Sequence, residues 1–154
     1  MEDNEKQLDL QSYYLKGRLY NAKNRHQGPF PRVLAVCSAG LMRSATTAWI
    51  LGNEPYNCNT RGCGVIAEYA LISLDQVLIE WADHIVFAHQ EHMDIAKEQF
   101  SFCGQNGAIK PTWVLNIPDA YGYRDPMLVE IINNLIKSIG LDVALAKGRT
   151  EIGA

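Results

Sequence analysis

From Cys37 the chain reads Cys-Ser-Ala-Gly-Leu-Met-Arg-Ser: a cysteine, five residues, an arginine, then a hydroxyl. A loop of that length, bent between the end of a strand and the start of a helix, can point successive backbone N–H groups inward as an anion nest. The dipole of the following helix adds to the field. Arg43 can close the ring with a planar fork that grips two equatorial oxygens of a phosphate. Its charge, the nest and the Ser44 hydroxyl together favour a thiolate at Cys37. A thiolate beneath a bound phosphorus is a nucleophile, so this spacing points to phosphoryl chemistry on sulfur.

Such a loop needs a strand before it and a helix after it, and the neighbouring residues supply both. Residues 33–36 are a short apolar run with β-branched valine at each end, and residues 44–51 suit a buried helix, which makes the opening half of a βαβ unit. After a turn at 52–55, a second strand is expected at 56–60. Ser73-Leu-Asp-Gln76 has the pattern of a capping box and predicts a helix over 74–82, with Leu74, Val77, Leu78 and Trp81 at helical spacing. A third strand is expected at 84–88, a helix at 90–100, a turn at 104–107 and a fourth strand at 113–117. Asp125 and Pro126 read as an N-cap and first helical position, opening a helix over 127–139 that Gly140 can end. The tail after Leu141 carries no clear signal. Ahead of these elements, residues 1–30 form an N-terminal extension, weakly helical over 7–22, with a linker at 24–31. Residues 31–154 then form one α/β domain: a four-stranded parallel sheet with helices on both faces, flavodoxin- or Rossmann-like. Ligands in such sheets bind beyond the carboxyl ends of the strands at a switch point, where the Cys37 loop falls.

Composition narrows the field. The chain has 154 residues, 47% hydrophobic and 20% charged, the usage of an ordinary folded domain. A net charge of −3 supplies no field for gathering nucleic acid. No run of about 18 apolar residues is present to span a bilayer. The start, Met-Glu-Asp-Asn-Glu, is acidic where a signal peptide is basic, so a cytoplasmic location with reduced thiols is expected. Cys58 and Cys63 lack a second pair at zinc-like spacing and read as core thiols; Cys103 reads as incidental. His84, His89 and His92 form a loose group without a metalloprotease pattern, and surface or packing roles are expected of them. No metal site is read from the chain.

Four segments share a likeness: Val36-Cys37-x5-Arg43-Ser44; Thr60-Arg61-Gly62-Cys63-Gly64, a small-residue turn after strand two; Trp81-Ala82-Asp83-His84-Ile85-Val86; and Ile117-Pro118-Asp119-Ala120-Tyr121. In this order they resemble the low-molecular-weight protein tyrosine phosphatases over residues 32–139. The resemblance implies that family's fold and a metal-independent, cofactor-free phosphatase working through a phosphocysteine intermediate. Cys37 would attack phosphorus, with Arg43 and the loop amides of Ser38, Ala39, Gly40, Leu41 and Met42 stabilising the equatorial charge. Ser44 would support the thiolate. A carboxylic acid must also protonate the leaving phenolate and then deprotonate water. Asp119 and Asp125 are the candidates. Asp125 has a sufficient task as an N-cap, whereas Asp119 matches the family's acid. Tyr121 and Tyr123 would line the pocket for a flat aryl phosphate, phosphotyrosine in proteins foremost, or serve as packing residues. The chain departs from the family's pattern at Ala39, Gly40 and Met42, where the family has glycine, asparagine and a second cysteine, and at His89, where it has an acid. These departures mark a divergent branch whose loop lacks the second cysteine of the family's redox switch.

Three rival readings share the loop. A phosphotransfer carrier of the sugar phosphotransferase type also opens its loop with Cys-Ser-Ala-Gly, but needs no guanidinium to drive hydrolysis. An arsenate reductase requires further cysteines for a disulfide relay, and none follows the third strand until Cys103. A non-catalytic phosphate-binding module would keep the nest and lose turnover.

Overall fold

Val33, Leu34 and Val36 are apolar on successive positions, the pattern of a strand buried on both faces. They lie in the central strand of the sheet. The computed structural model describes residues 30–40, 42–68, 70, 72–104 and 107–153. Along the chain run β1 (Arg32–Cys37), α1 (Arg43–Gly52), β2 (Asn59–Gly64), α2 (Gln76–Trp81), β3 (His84–Phe87), α3 (Gln90–Gln99), β4 (Thr112–Val114), α4 (Pro126–Ser138) and α5 (Leu141–Gly153). The four strands form an all-parallel sheet in the order β2-β1-β3-β4.

Side chains on β1 alternate between two cores, as the pleat requires. Val33 and Cys37 join Ile50 and Leu51 of α1, Leu128, Ile132 and Ile136 of α4, and Leu141 and Leu145 of α5. Leu34 and Val36 join Leu78 and Ile79 of α2, Ala96 of α3, and Phe102. Helices therefore cover both faces. The chain passes from β1 to β2 on one side and crosses back to β3 on the other. The switch point lies between β1 and β3, and the segments that follow these two strands share one edge of the sheet. No helix among the described residues is long and apolar enough to cross a membrane.

Several boundaries differ from the sequence expectation. The second strand is not at 56–60 but at Asn59–Gly64. Residues 53–57 are turned, with the Tyr56 and Asn57 amides both donating to the Asn53 carbonyl and Asn57 at φ 52°. The segment 60–64, read as a turn after that strand, belongs to the strand itself. Ser73 does not cap the next helix: it bridges to Gly64, whose N–H donates to the Ile72 carbonyl. Asp75 caps instead, accepting from the Leu78 N–H at 2.8 Å, so α2 starts at Gln76 rather than 74. Gln76 is occupied by the Ser101 backbone. The fourth strand stops at Val114, and Asn116 turns the chain at φ 56°. Asp125 caps α4 as its sequence indicates, and Gly140 follows that helix at φ 82°. The unassigned tail is a helix, α5. The weak helix expected at 7–22 and most of the linker at 24–31 lie outside the described residues.

Candidate active site

β1 delivers Cys37 to the carboxyl edge of the sheet, where the sulfur is buried, 4% exposed. The Cys37 thiol donates to Ser44 Oγ at 3.1 Å, and the Gly40 N–H donates to Cys37 Sγ at 3.2 Å, so the loop curls around the sulfur. The N-cap of α1 is Met42, which makes no side-chain cap bond, and the first turn carries no acidic residue. The first-turn amides of α1 and the positive end of its dipole are thus left facing the loop.

The back of the loop rests on β2, backbone against backbone. Gly40 is at φ 76°, and a Cβ there would come within 2.8 Å of the Cys63 carbonyl carbon and 3.0 Å of the Gly64 nitrogen. A Cβ on Gly64 would collide with the Ser38 carbonyl oxygen and the Ala39 backbone. Only glycine permits this approach from either side. The Val65 and Ile66 amides donate to the Cys37 and Ser38 carbonyls at 2.9 and 3.1 Å and pin the start of the loop. Gly40 therefore has a support built from backbone contact. Ala39 is half-buried, Met42 is exposed, and Leu41 lies outside the described residues.

Arg43 is 6% exposed, and its guanidinium joins two loops. Nη1 donates to the Ile117 carbonyl at 3.1 Å, and Nε lies 3.7 Å from Asp119 Oδ1, whose side chain is largely exposed. Asp119 is thereby brought to the cysteine loop. Asp125 is occupied by the Met127 N–H at 2.9 Å. Two further bonds locate the Asp119 loop: the Ile117 amide donates to the Ala88 carbonyl at 2.7 Å, and the Arg124 amide donates to Thr46 Oγ1 at 3.0 Å. The Arg124 guanidinium lies over Trp49 at 4.4 Å and over Tyr123 at 4.9 Å. Tyr121 is half-buried against the first core, and Tyr123 is half-exposed.

One residue at the site makes a bond that the sequence reading did not assign. Of the surface or packing roles expected of His92, in the first turn of α3, the structure shows the buried one: it is 3% exposed. Its Nε2 is 2.9 Å from Ser38 Oγ, and its Nδ1 accepts from the His89 N–H at 3.1 Å. Burial, together with the neighbouring Arg43 and His89 charges, lowers the His92 pKa to about 4, against an opposing pull from Asp119. The spacing from His89 to His92 was visible, but Ser38 is 54 residues away and only the fold joins them. His89 caps α3, accepting from the Glu91 N–H. His84 is elsewhere, accepting from Trp113 Nε1.

Cys63 lies in the opposite core, where burial above all pushes its thiol well up, with Cys37 and Asp75 adding to the effect. Cys58 precedes Asn59, which pairs with Arg32 at the far end of β1. Arg32 itself lies five strand residues, about 17 Å, from Cys37, so Cys58 is beyond the reach of a disulfide. Among the described residues no three His, Cys, Asp or Glu side chains are grouped to bind a metal. An open depression lined by Glu80, Asp83, Lys110 and Pro111 sits at the amino ends of β3 and β4, away from the Cys37 loop. No protein-family model, curated protein or solved structure matches this chain.

Proposed function

We propose that the chain is a cysteine-dependent phosphomonoester hydrolase of the low-molecular-weight protein tyrosine phosphatase type, acting on aryl phosphates, phosphotyrosine in proteins foremost. The observation that supports this reading most is the Arg43 guanidinium, which lies on the Cys37 loop and within 3.7 Å of Asp119. A carrier that only stores phosphate needs no acid beside its cysteine, and an arsenate reductase needs a second thiol facing the first, whereas Cys63 lies in the opposite core.

In this reading the phosphate occupies the loop amides and Arg43, and Cys37 attacks phosphorus in line with the leaving oxygen. The S–P bond forms as the P–O bond breaks, and Asp119 gives its proton to the departing phenolate. The Asp119 carboxylate then takes a proton from water as that water attacks phosphocysteine, releasing phosphate and restoring the thiolate. The Ser44 hydroxyl, already at the sulfur, stabilises the thiolate at both ends of the cycle.

The test is hydrolysis of para-nitrophenyl phosphate with a chelator present. Turnover is expected to be insensitive to the chelator and to fall at least ~10³-fold in Cys37→Ser. It should fall ~10²–10³-fold in Asp119→Asn. Asp125→Ala should stay within about threefold of the natural protein while losing about 1 kcal/mol of stability through the lost cap. Absence of turnover in the natural protein, or full turnover in Cys37→Ser, overturns the proposal.

A further inference from the structure

The hydrogen bonds around His92 determine which of its nitrogens carries the proton. Nδ1 accepts from the His89 N–H, so it is unprotonated; in a neutral ring the proton is then on Nε2. Nε2 faces Ser38 Oγ at 2.9 Å and must be the donor in that contact. Ser38 Oγ accepts, and its own proton is left to give. Among the described residues no other polar atom is bonded to that hydroxyl, and Ser38 directly follows the sulfur in the loop. His92 is buried, so the tether is shielded from water, and the low His92 pKa keeps the ring neutral at pH 7.

We infer that Ser38 is a substrate-binding hydroxyl, and that His92 is the positioning residue that turns its proton toward the oxyanion held by the Cys37 loop. The inference rests on the phosphatase reading and deepens it. The loop amides are fixed by the backbone, whereas a serine hydroxyl rotates freely unless something occupies its lone pair. His92 occupies it from the side of α3. The donor so oriented gains strength as charge builds on the phosphoryl oxygens, which places its effect in the transition state rather than in ground-state binding.

His92 also accepts the reciprocal bond that caps α3, and the variants must separate the two tasks. His92→Glu keeps an acceptor for the His89 N–H, as in an ordinary capping box, but offers Ser38 a carboxylate, so the hydroxyl donates backward. His92→Gln keeps the acceptor and supplies an amide N–H to Ser38. Ser38→Ala removes the hydroxyl. The readouts are kcat and KM for para-nitrophenyl phosphate and inhibition by orthovanadate, with circular dichroism to verify folding. Ser38→Ala and His92→Glu are expected to lower kcat about 10–100-fold and weaken vanadate inhibition in parallel, with KM moving less than about threefold. His92→Gln is expected to retain most of kcat. Ser38→Ala within about twofold of the natural protein, or equal activity in folded His92→Glu and His92→Gln, overturns the inference while leaving the phosphatase reading intact. A natural protein that neither turns over substrate nor binds inorganic phosphate overturns both. Should a His92 variant not fold, Ser38→Ala decides alone, because it removes a single oxygen at a half-buried position.

Discussion

Arg43 is where the cysteine loop and the Asp119 loop meet, and its chemistry explains why arginine rather than lysine suits the position. A buried guanidinium must be satisfied on several edges, and here Nη1 takes the Ile117 carbonyl while Nε faces Asp119. A lysine ammonium could serve one of these partners as a point charge but could not hold the fork. At the same scale His92 makes stability depend on pH. Its pKa lies near 4 in the folded chain and near 6.5 when unfolded. Between those values the unfolded chain binds a proton that the folded chain refuses, so the His92 contribution is complete above about pH 6.5 and is lost as pH falls toward 4. The urea midpoint of the natural protein should therefore drop over this window by more than that of His92→Gln. The difference should correspond to on the order of 2–3 kcal/mol. Parallel pH curves for the two proteins would contradict a neutral buried His92.

Among the elements, the end of β2 does most to shape the loop. A strand that carried side chains at Gly64 could pair with β1 equally well, yet the Ser38–Ala39 backbone leaves no room for a Cβ there. Gly64→Ala should displace the loop, costing about 2–4 kcal/mol in denaturant unfolding and most of the proposed hydrolytic activity. Gly122→Ala, in the Asp119 loop but with nothing within 4 Å of the added carbon, should change stability by no more than about 0.5 kcal/mol. Equal costs at the two positions would show that the close approach of β2 to the loop is not what Gly64 provides. The other elements have simpler tasks: α1 presents an amino end without a side-chain cap to the Cys37 loop, and α4 is set off by its Asp125 cap beyond the Asp119 loop.

At the scale of the whole molecule, parallel order and the β1–β3 switch bring three distant segments to one edge: the loop after Cys37, the first turn of α3 with His92, and residues 117–125. None of them is adjacent in the chain. What keeps them in register is the two-sided core, above all the face where α1, α4 and α5 bury Ile50, Leu51, Leu128, Ile132 and Leu141 against β1 and β3. Ile132 is fully buried, and Ile132→Ala should cost about 2–5 kcal/mol in urea unfolding. Val143, 69% exposed on α5, should tolerate Val143→Ala within about 0.5 kcal/mol. A small effect at Ile132 would mean that the α4 face is not the packed layer that ties α4 to the sheet.

Wherever the information is local, the sequence by itself determined the outcome. The apolar, valine-flanked run at 33–36, the alternation of strand and helix, the Asp125–Pro126 start of α4 and its Gly140 stop are all short-range preferences of the backbone, and the fold keeps them. The spacing of Cys37, Arg43 and Ser44 was equally legible, because a strand, a tight loop and a helix occupy consecutive residues. Non-local pairing decided the rest. Ser73 had the chemistry of a cap, but a bridge to Gly64 took its backbone, so Asp75 capped instead. Residues 60–64 had the glycines of a turn, yet pairing with β1 made them a strand whose missing side chains admit the loop. His92 showed only a helical interval to His89. Its bond to Ser38 exists because crossing the sheet between β2 and β3 sets α3 beside the loop after β1, a proximity that no local preference encodes.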